Sequence, residues 1–215
     1  MSYKIKEIFY TLQGEGAQSG RPAVFCRFTG CNLWTGKEKD RPKAICQFCD
    51  TDFWGMDGLN GGKYKTAYEL AAKVASLWPV PITNNIAGKP LVVCTGGEPA
   101  LQMDEALIAA FHTQNFEVAI ETNGTIHIPT SIDWVCVSPK ANTDILITKG
   151  NELKLVFPQQ GAEPEKYQSF NFSHFYLQPM DGPNAAQNTQ LCLEFCLQNP
   201  QWSLSLQSHK LLNIP

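Results

Sequence analysis

Short apolar runs alternate along the chain with stretches in which apolar residues recur every three or four positions. "AVFCRF" (23–28), "PLVVCTGG" (90–97), "EVAIET" (117–122) and "WVCVSP" (134–139) predict strands. So do "ELKLVF" (152–157), "HFYLQP" (174–179) and "WSLSLQ" (202–207). The helical spacing predicts helices over 66–78, 103–114 and 189–198. In the first, Leu70, Val74 and Leu77 share a face, and Thr66 is placed to cap it with Glu69 as its partner three residues on. In the second, Met103, Leu107, Ala110 and Phe111 fall on one side. The glycine-rich stretch 55–65 reads as a surface connection. Near-continuous apolar strands separated by helices predict a mostly parallel sheet. About six such strands in a chain of 215 residues predict a small barrel-like α/β fold, too short for an eightfold barrel.

In parallel α/β folds, chemistry gathers at the carboxyl ends of the strands. Strand 23–28 runs on to Cys31, 90–94 to "TGGEP", 117–121 to "ETNG", 134–137 to "SPK" and 174–177 to "QPMD". Each segment alone is explained by turn formers. Together they predict one active-site rim.

Composition narrows the class. Hydrophobic residues make up 43% and charged residues 17%, the profile of a soluble globular enzyme in one domain, or one domain with an appendage. A net charge of -3 gives no support to nucleic-acid or membrane binding. No apolar stretch is long enough to span a bilayer, and the N-terminus lacks a signal peptide's apolar core, so a cytoplasmic protein is expected.

Of the eight cysteines, Cys26, Cys94, Cys136, Cys192 and Cys196 read as buried small hydrophobes. Cys31, Cys46 and Cys49 cluster in a loop. Soft thiolates suit zinc or iron–sulfur centres. Three ligands fit a zinc with an open position or a cluster with one iron left open, and chance clustering remains; spacing alone does not choose. Arg27, on an apolar strand, needs an anionic partner. That partner is either a ligand carboxylate gripped by two hydrogen bonds or an internal pair with Glu15 or Glu98. Glu98, Glu121 and Asn123 are weaker candidates. His209 reads equally as a substrate contact or a surface residue. His112, His127 and His174 read as structural.

"CQFCDT" followed by "TGGEP" resembles the radical S-adenosylmethionine (SAM) superfamily. There three cysteines hold a 4Fe–4S cluster, SAM chelates the open iron, and the glycine turn lets backbone approach the SAM amino group. The superfamily's usual spacing is shorter; here fourteen residues separate Cys31 from Cys46. The inserted "GKEKDRPK" reads as a solvated extension, and loop length costs little. "EIFYTLQGEGAQSGRPAVFCRFTGCNLW", with "CDTDF", "TGGEP", "ETNG", "VSPK" and "LQPMDG", resembles the 7-carboxy-7-deazaguanine synthase family over nearly the whole chain. The long spacing resembles a subgroup of it.

That resemblance implies an incomplete (β/α)6-type barrel, a single radical SAM domain over 1–215, a homodimer, and a 4Fe–4S cluster with SAM and Mg2+. It implies a carbon–nitrogen lyase of the queuosine pathway. The reaction would turn 6-carboxy-5,6,7,8-tetrahydropterin into 7-carboxy-7-deazaguanine by radical ring contraction with loss of ammonia, served by a flavodoxin-like reductant. Cys31, Cys46 and Cys49 match the cluster ligands, and Thr51 a magnesium contact. Phe48, Cys49, Asp50, Gly97, Ser138, Pro139, Lys140, Gln178, Pro179, Met180 and Asp181 match SAM-contacting segments. Leu12, Gln13, Gly14, Glu15, Arg27, Thr95 and Pro215 match substrate contacts. Pro215 is expected to offer its carboxylate to the pterin, with Leu211, Leu212 and Ile214 pinning the tail. Two alternatives remain: a radical SAM activase acting on a partner protein, and a zinc-stabilised binding module.

Overall fold

The apolar runs form strands because their β-branched and aromatic residues suit a pleated, two-sided surface. The computed structural model describes residues 2–80 and 88–215. Strands β1 (Tyr3–Leu12), β2 (Pro22–Phe28), β3 (Gly62–Tyr64), β4 (Leu91–Gly96) and β5 (Glu117–Thr122) are joined by β6 (Trp134–Val137), β7 (Lys149–Phe157), β8 (Asn171–Pro179) and β9 (Trp202–Leu204). They make one open sheet in the order β3-β1-β2-β4-β5-β6-β7-β8-β9. From β2 through β4 to β9 every pairing is parallel. β1 is antiparallel to both neighbours. The mostly parallel α/β sheet is thus as expected, extended at one edge by β1 and β3, which the strand pattern did not predict.

The missed β1 has a physical reason. Its pairing with β2 shifts register between Ile5 and Glu7. Such a shift breaks the in-out alternation by which a strand is read. It leaves Lys6 buried next to a half-buried Glu7. β3 lies within the expected glycine-rich connection.

Helices α1 (Ala67–Ala75), α2 (Glu105–Thr113), α3 (Ala185–Gln198) and α4 (Ser208–Leu212) complete the fold. α1 starts where its cap was expected: the Glu69 N–H donates to Thr66 Oγ1 at 3.1 Å. α2 starts later than expected, because Asp104 accepts from Leu107 N–H at 2.9 Å and so takes the cap position. β5, β6 and β7 follow one another without an intervening helix. The segments between them, rich in Asn, Thr, Pro and Gly, have no helical period and become loops at the strand ends.

α1 and α2 bury Leu70, Val74, Leu107 and Phe111 against the outer face of β1, β2, β4 and β5. α3 brings Cys192 to a second core with Leu153, Leu155, Leu177 and Trp202. Cys26, Cys94, Cys136 and Cys192 are buried as expected, and Cys196 is half-buried. On β7, Glu152, Lys154 and Val156 alternate with the core residues Leu153 and Leu155, and so face the other way. No helix among the described residues is long and apolar enough to cross a membrane.

Candidate active site

The strand ends surround a cavity of about 420 Å³. Arg27 and Cys31 reach it from the end of β2, Thr95 and Gly97 from β4, and Glu121 and Asn123 from β5. Ser138 and Lys140 come from β6, and Gln178, Pro179, Met180 and Asp181 from β8. All five expected rim segments therefore meet in one place. Leu12, Gln13, Gly14, Glu15, Cys46, Phe48, Cys49, Asp50, Thr51 and Pro215 line the same space. Pro139 does not line it. It is buried behind Ser138, and its carbonyl accepts from Gln159 Nε2 at 3.4 Å.

Three thiols form one wall. The Leu33 N–H donates to Cys31 Sγ at 3.4 Å, and Cys49 Sγ lies 3.9 Å from the Thr51 carbonyl oxygen. A hydrogen bond from Cys46 holds the Cys49 thiol down to about 6, against the effect of burial. The same bond pushes Cys46 up. Burial pushes Cys31 up. Among the described residues no three His, Cys, Asp or Glu side chains converge tightly enough for one metal ion. A single zinc needs its thiolates about 2.3 Å from one point. A cluster takes each thiolate at a different iron, and three thiols without a fourth can hold one whose remaining iron stays open.

The glycine turn after β4 backs this wall. A side chain at Gly97 would come within 2.0 Å of the Gly30 carbonyl oxygen, just before Cys31. Gly96 has a φ of +133°, where a side chain is strained. The Glu98 N–H then donates to Gly30 at 2.8 Å. The two glycines let the β4 turn pass the cysteine-bearing segment, an internal reason beside any approach to a ligand. Glu98 itself lies behind the cavity, fully buried. It accepts from Thr122 Oγ1 and from the N–H groups of Ala100 and Asn123.

The opposite wall is ionic. Lys154 Nζ stands 2.6 Å from Glu15 and 3.1 Å from Glu121. Burial would lower the lysine, but the two carboxylates outweigh it and raise it well above its ordinary value. Burial likewise pushes Glu15 up. The charge and hydrogen bond of Lys154, with a hydrogen bond from Gln207, hold it down at about 2. Gln13 donates to Glu121 at 2.9 Å. Below them Glu152, pushed up by burial, accepts from the Ala17 N–H at 3.0 Å.

Arg27 pairs with Glu7 through Nε at 2.7 Å, so neither Glu15 nor Glu98, the internal alternatives to a ligand, is its partner. β1 lies antiparallel beside β2 and sets Glu7 opposite Arg27, a pairing that needs the sheet to be known. The other guanidinium nitrogens of Arg27 make no hydrogen bond among the described residues and remain available to an anion.

The chain's last helix covers one side. Ser208 donates to the Gly14 carbonyl from its N–H and its hydroxyl, both at 2.9 Å. His209 packs against Gly14 and lines the cavity. Lys210 bridges Asp50 at 2.9 Å and Asp181 at 2.5 Å. Pro215 accepts from Thr11 Oγ1 at 3.0 Å. Leu211 and Leu212 are exposed and only Ile214 is half-buried, so polar contacts hold this segment more than the expected apolar pinning. His112 pairs with Asp133 at 2.7 Å and His174 stacks on Trp134, both outside the cavity.

Lys6, Glu7, Lys154, Gln207 and Lys210 also line the cavity and carry no motif. Lys154 had a signal: like Arg27, it is a cation in an apolar strand, "ELKLVF".

No family model matches the chain. Full-length relatives do. The 7-carboxy-7-deazaguanine synthase of Caulobacter vibrioides is 58% identical over 218 residues, and that of Burkholderia multivorans 56% over 215, with all of each chain covered in both cases. Among solved structures, the crystal structure of QueE from Escherichia coli matches with a TM-score of 0.71 at 27% identity, covering 96% of this chain and 94% of that one. Identity above half over the full length, with the same fold at lower identity, leaves one assignment: this chain belongs to the 7-carboxy-7-deazaguanine synthase family.

Proposed function

We propose that this protein converts 6-carboxy-5,6,7,8-tetrahydropterin into 7-carboxy-7-deazaguanine, with ammonia as the group lost, in the queuosine pathway. The atoms balance without net oxidation: one nitrogen and three hydrogens leave as ammonia. The family is a radical SAM family, which brings a 4Fe–4S cluster and SAM; when bound, they supply a 5′-deoxyadenosyl radical. The observation that carries the reading is one cavity with three thiols on one wall and a paired set of carboxylates and cations on the other.

In this reading Cys31, Cys46 and Cys49 hold the cluster. Phe48 to Asp50, Gly97, Ser138 to Lys140 and Gln178 to Asp181 surround SAM, with Pro139 acting only as backing. Arg27 grips the pterin carboxylate through the nitrogens Glu7 leaves unused. Glu15, kept ionised by Lys154, accepts from pterin N–H groups. Leu12 to Gly14, Thr95 and Pro215 complete the substrate side. Phe9 and Phe25, stacked at 5.5 Å, limit water access beside Arg27. Thr51 offers a neutral hydroxyl to a Mg2+ ion that also touches substrate, since magnesium takes oxygen ligands and keeps several waters. The working form is one domain over 1–215, a cytoplasmic homodimer reduced by a flavodoxin-like protein.

Anaerobic reconstitution tests this reading. Brown protein carrying iron and sulfide should form product in molar excess over SAM. Thr51→Ala should demand more magnesium for the same rate. Colourless protein with stoichiometric zinc, or an intact cluster without product from the pterin, would refute it.

A further inference from the structure

The insert between Cys31 and Cys46 faces solvent, as its charge suggested, with none of residues 36–43 buried, yet one of its side chains turns inward. Residues Glu38–Lys43 form a 3₁₀ turn, and Arg41 reaches from it to the cysteine loop. Arg41 Nη1 donates to the carbonyl oxygens of Gln47 at 2.8 Å and Cys49 at 3.0 Å. Nε and Nη2 are held by Glu38 at 2.8 and 2.6 Å. The guanidinium lies 4.0 Å from the centre of the Trp34 ring. Trp34 in turn sets its edge against Phe53 at 5.4 Å and donates to the Lys37 carbonyl at 3.3 Å.

The loop it touches is otherwise tied through side chains alone, Gln47 donating to the Pro42 carbonyl at 3.2 Å and Asp50 accepting from Lys210 at 2.9 Å. From residue 46 to residue 50 no main-chain group is bonded to another main-chain group, and the two Arg41 contacts are the side-chain bonds made to its carbonyls, among the described residues. An exposed pair such as Arg41–Glu38 adds little stability. Its effect here is to orient the guanidinium. Arginine is needed for this: one planar fork stacks on an indole, pairs with a carboxylate and still donates to two carbonyls, which an ammonium does not do.

We propose that Arg41 is a positioning residue that holds the Cys46–Cys49 loop in the shape in which its thiols accept a cluster. The inference rests on reading those cysteines as cluster ligands. In a shorter spacer the chain itself restricts this loop; here a side chain of the insert replaces that restriction.

The test compares wild type with Arg41→Lys and Arg41→Gln, and with Lys43→Gln as a charge control on the same turn. In metal-free protein, alkylation of the buried Cys46 should be about tenfold faster in both Arg41 variants, the scale of losing one charge-assisted hydrogen bond. Cys31 should react at the wild-type rate. In reconstituted protein, a chelator should strip iron faster by a similar factor. Unfolding temperatures should stay at the wild-type value, and Lys43→Gln should match wild type throughout. Wild-type rates in Arg41→Lys, or equal acceleration by Lys43→Gln, would overturn the proposal. Failure of wild type itself to take up a cluster would instead overturn the ligand reading.

Discussion

The thiol wall and the carboxylate wall of the cavity differ in how they are held. Cys46 and Cys49 hang on irregular chain, and Arg41 ties that chain down from the surface. Glu121 and Lys154 stand on the central strands β5 and β7, and Glu15 enters from the turn after β1. The Lys154 side chain is only 4% exposed, and its salt bridges lie in a low-dielectric interior. There an ion pair is not a strong net stabiliser, but removing one partner leaves an uncompensated charge. The lesson is that one wall hangs on irregular chain held by side-chain contacts, whereas the other is fixed by the sheet and needs charge balance.

The largest effect that can break this comparison is loss of a thiol. Cys31→Ala, Cys46→Ala and Cys49→Ala are each expected to abolish cluster uptake and SAM cleavage, read as iron content and visible absorbance. Their unfolding temperatures in the metal-free form should change little. Cys192→Ala, in the α3 core, should do the opposite: full cluster content and about 1 kcal/mol of lost stability. A full cluster in Cys31→Ala would break the account of that wall.

Lys154→Met comes next. It should cost about 3–5 kcal/mol of stability at neutral pH, because buried carboxylates lose their counter-charge. The pH dependence gives a sharper reading. In wild type the Glu15 carboxyl is held below its ordinary value of 4.5. Its contribution is therefore full above that value and is lost as pH falls towards about 2. In Lys154→Met, burial acts without the lysine and pushes the carboxyl up, so its contribution is present in acid and lost as pH rises. The gap in unfolding temperature between wild type and variant should be wide at pH 7 and narrow on acidification. A gap that stays constant with pH would show that the lysine acts by packing alone.

Lys210→Met is the smallest. Its bridges to Asp50 and Asp181 are largely solvent-facing, so stability should fall by at most about 1 kcal/mol. SAM affinity, measured by equilibrium binding on reconstituted protein, should fall several-fold, since both aspartates lie in segments proposed to contact SAM. Unchanged affinity would assign the bridge to the chain's last helix alone.

Legibility followed the same division. The thiol wall was readable because "CQFCDT", "TGGEP" and "SPK" are local: each motif carries its own backbone requirement within a few residues. Even there the insert was read only in part: its charge told of solvation, but only the fold shows Arg41 turned back over Trp34. The ionic wall was readable only in part. Arg27 stood out as a cation in an apolar strand, yet its internal partner Glu7 was not foreseen, because Glu7 lies on a strand whose register shift hides its alternation. Lys154 carried the same signal as Arg27 and was passed over.

By itself the sequence determined the parallel α/β plan, the strand ends that bear chemistry and the three thiols, because hydrophobic period and turn chemistry act over short range. The tertiary structure decided the pairings Glu15–Lys154–Glu121 and Lys210–Asp50–Asp181, and the join of β1 beside β2. Glu15 and Lys154 are 139 residues apart. Nothing local records such a distance: the partners meet only because strand order and the two-residue alternation aim them into one cavity, where burial makes each charge depend on the other.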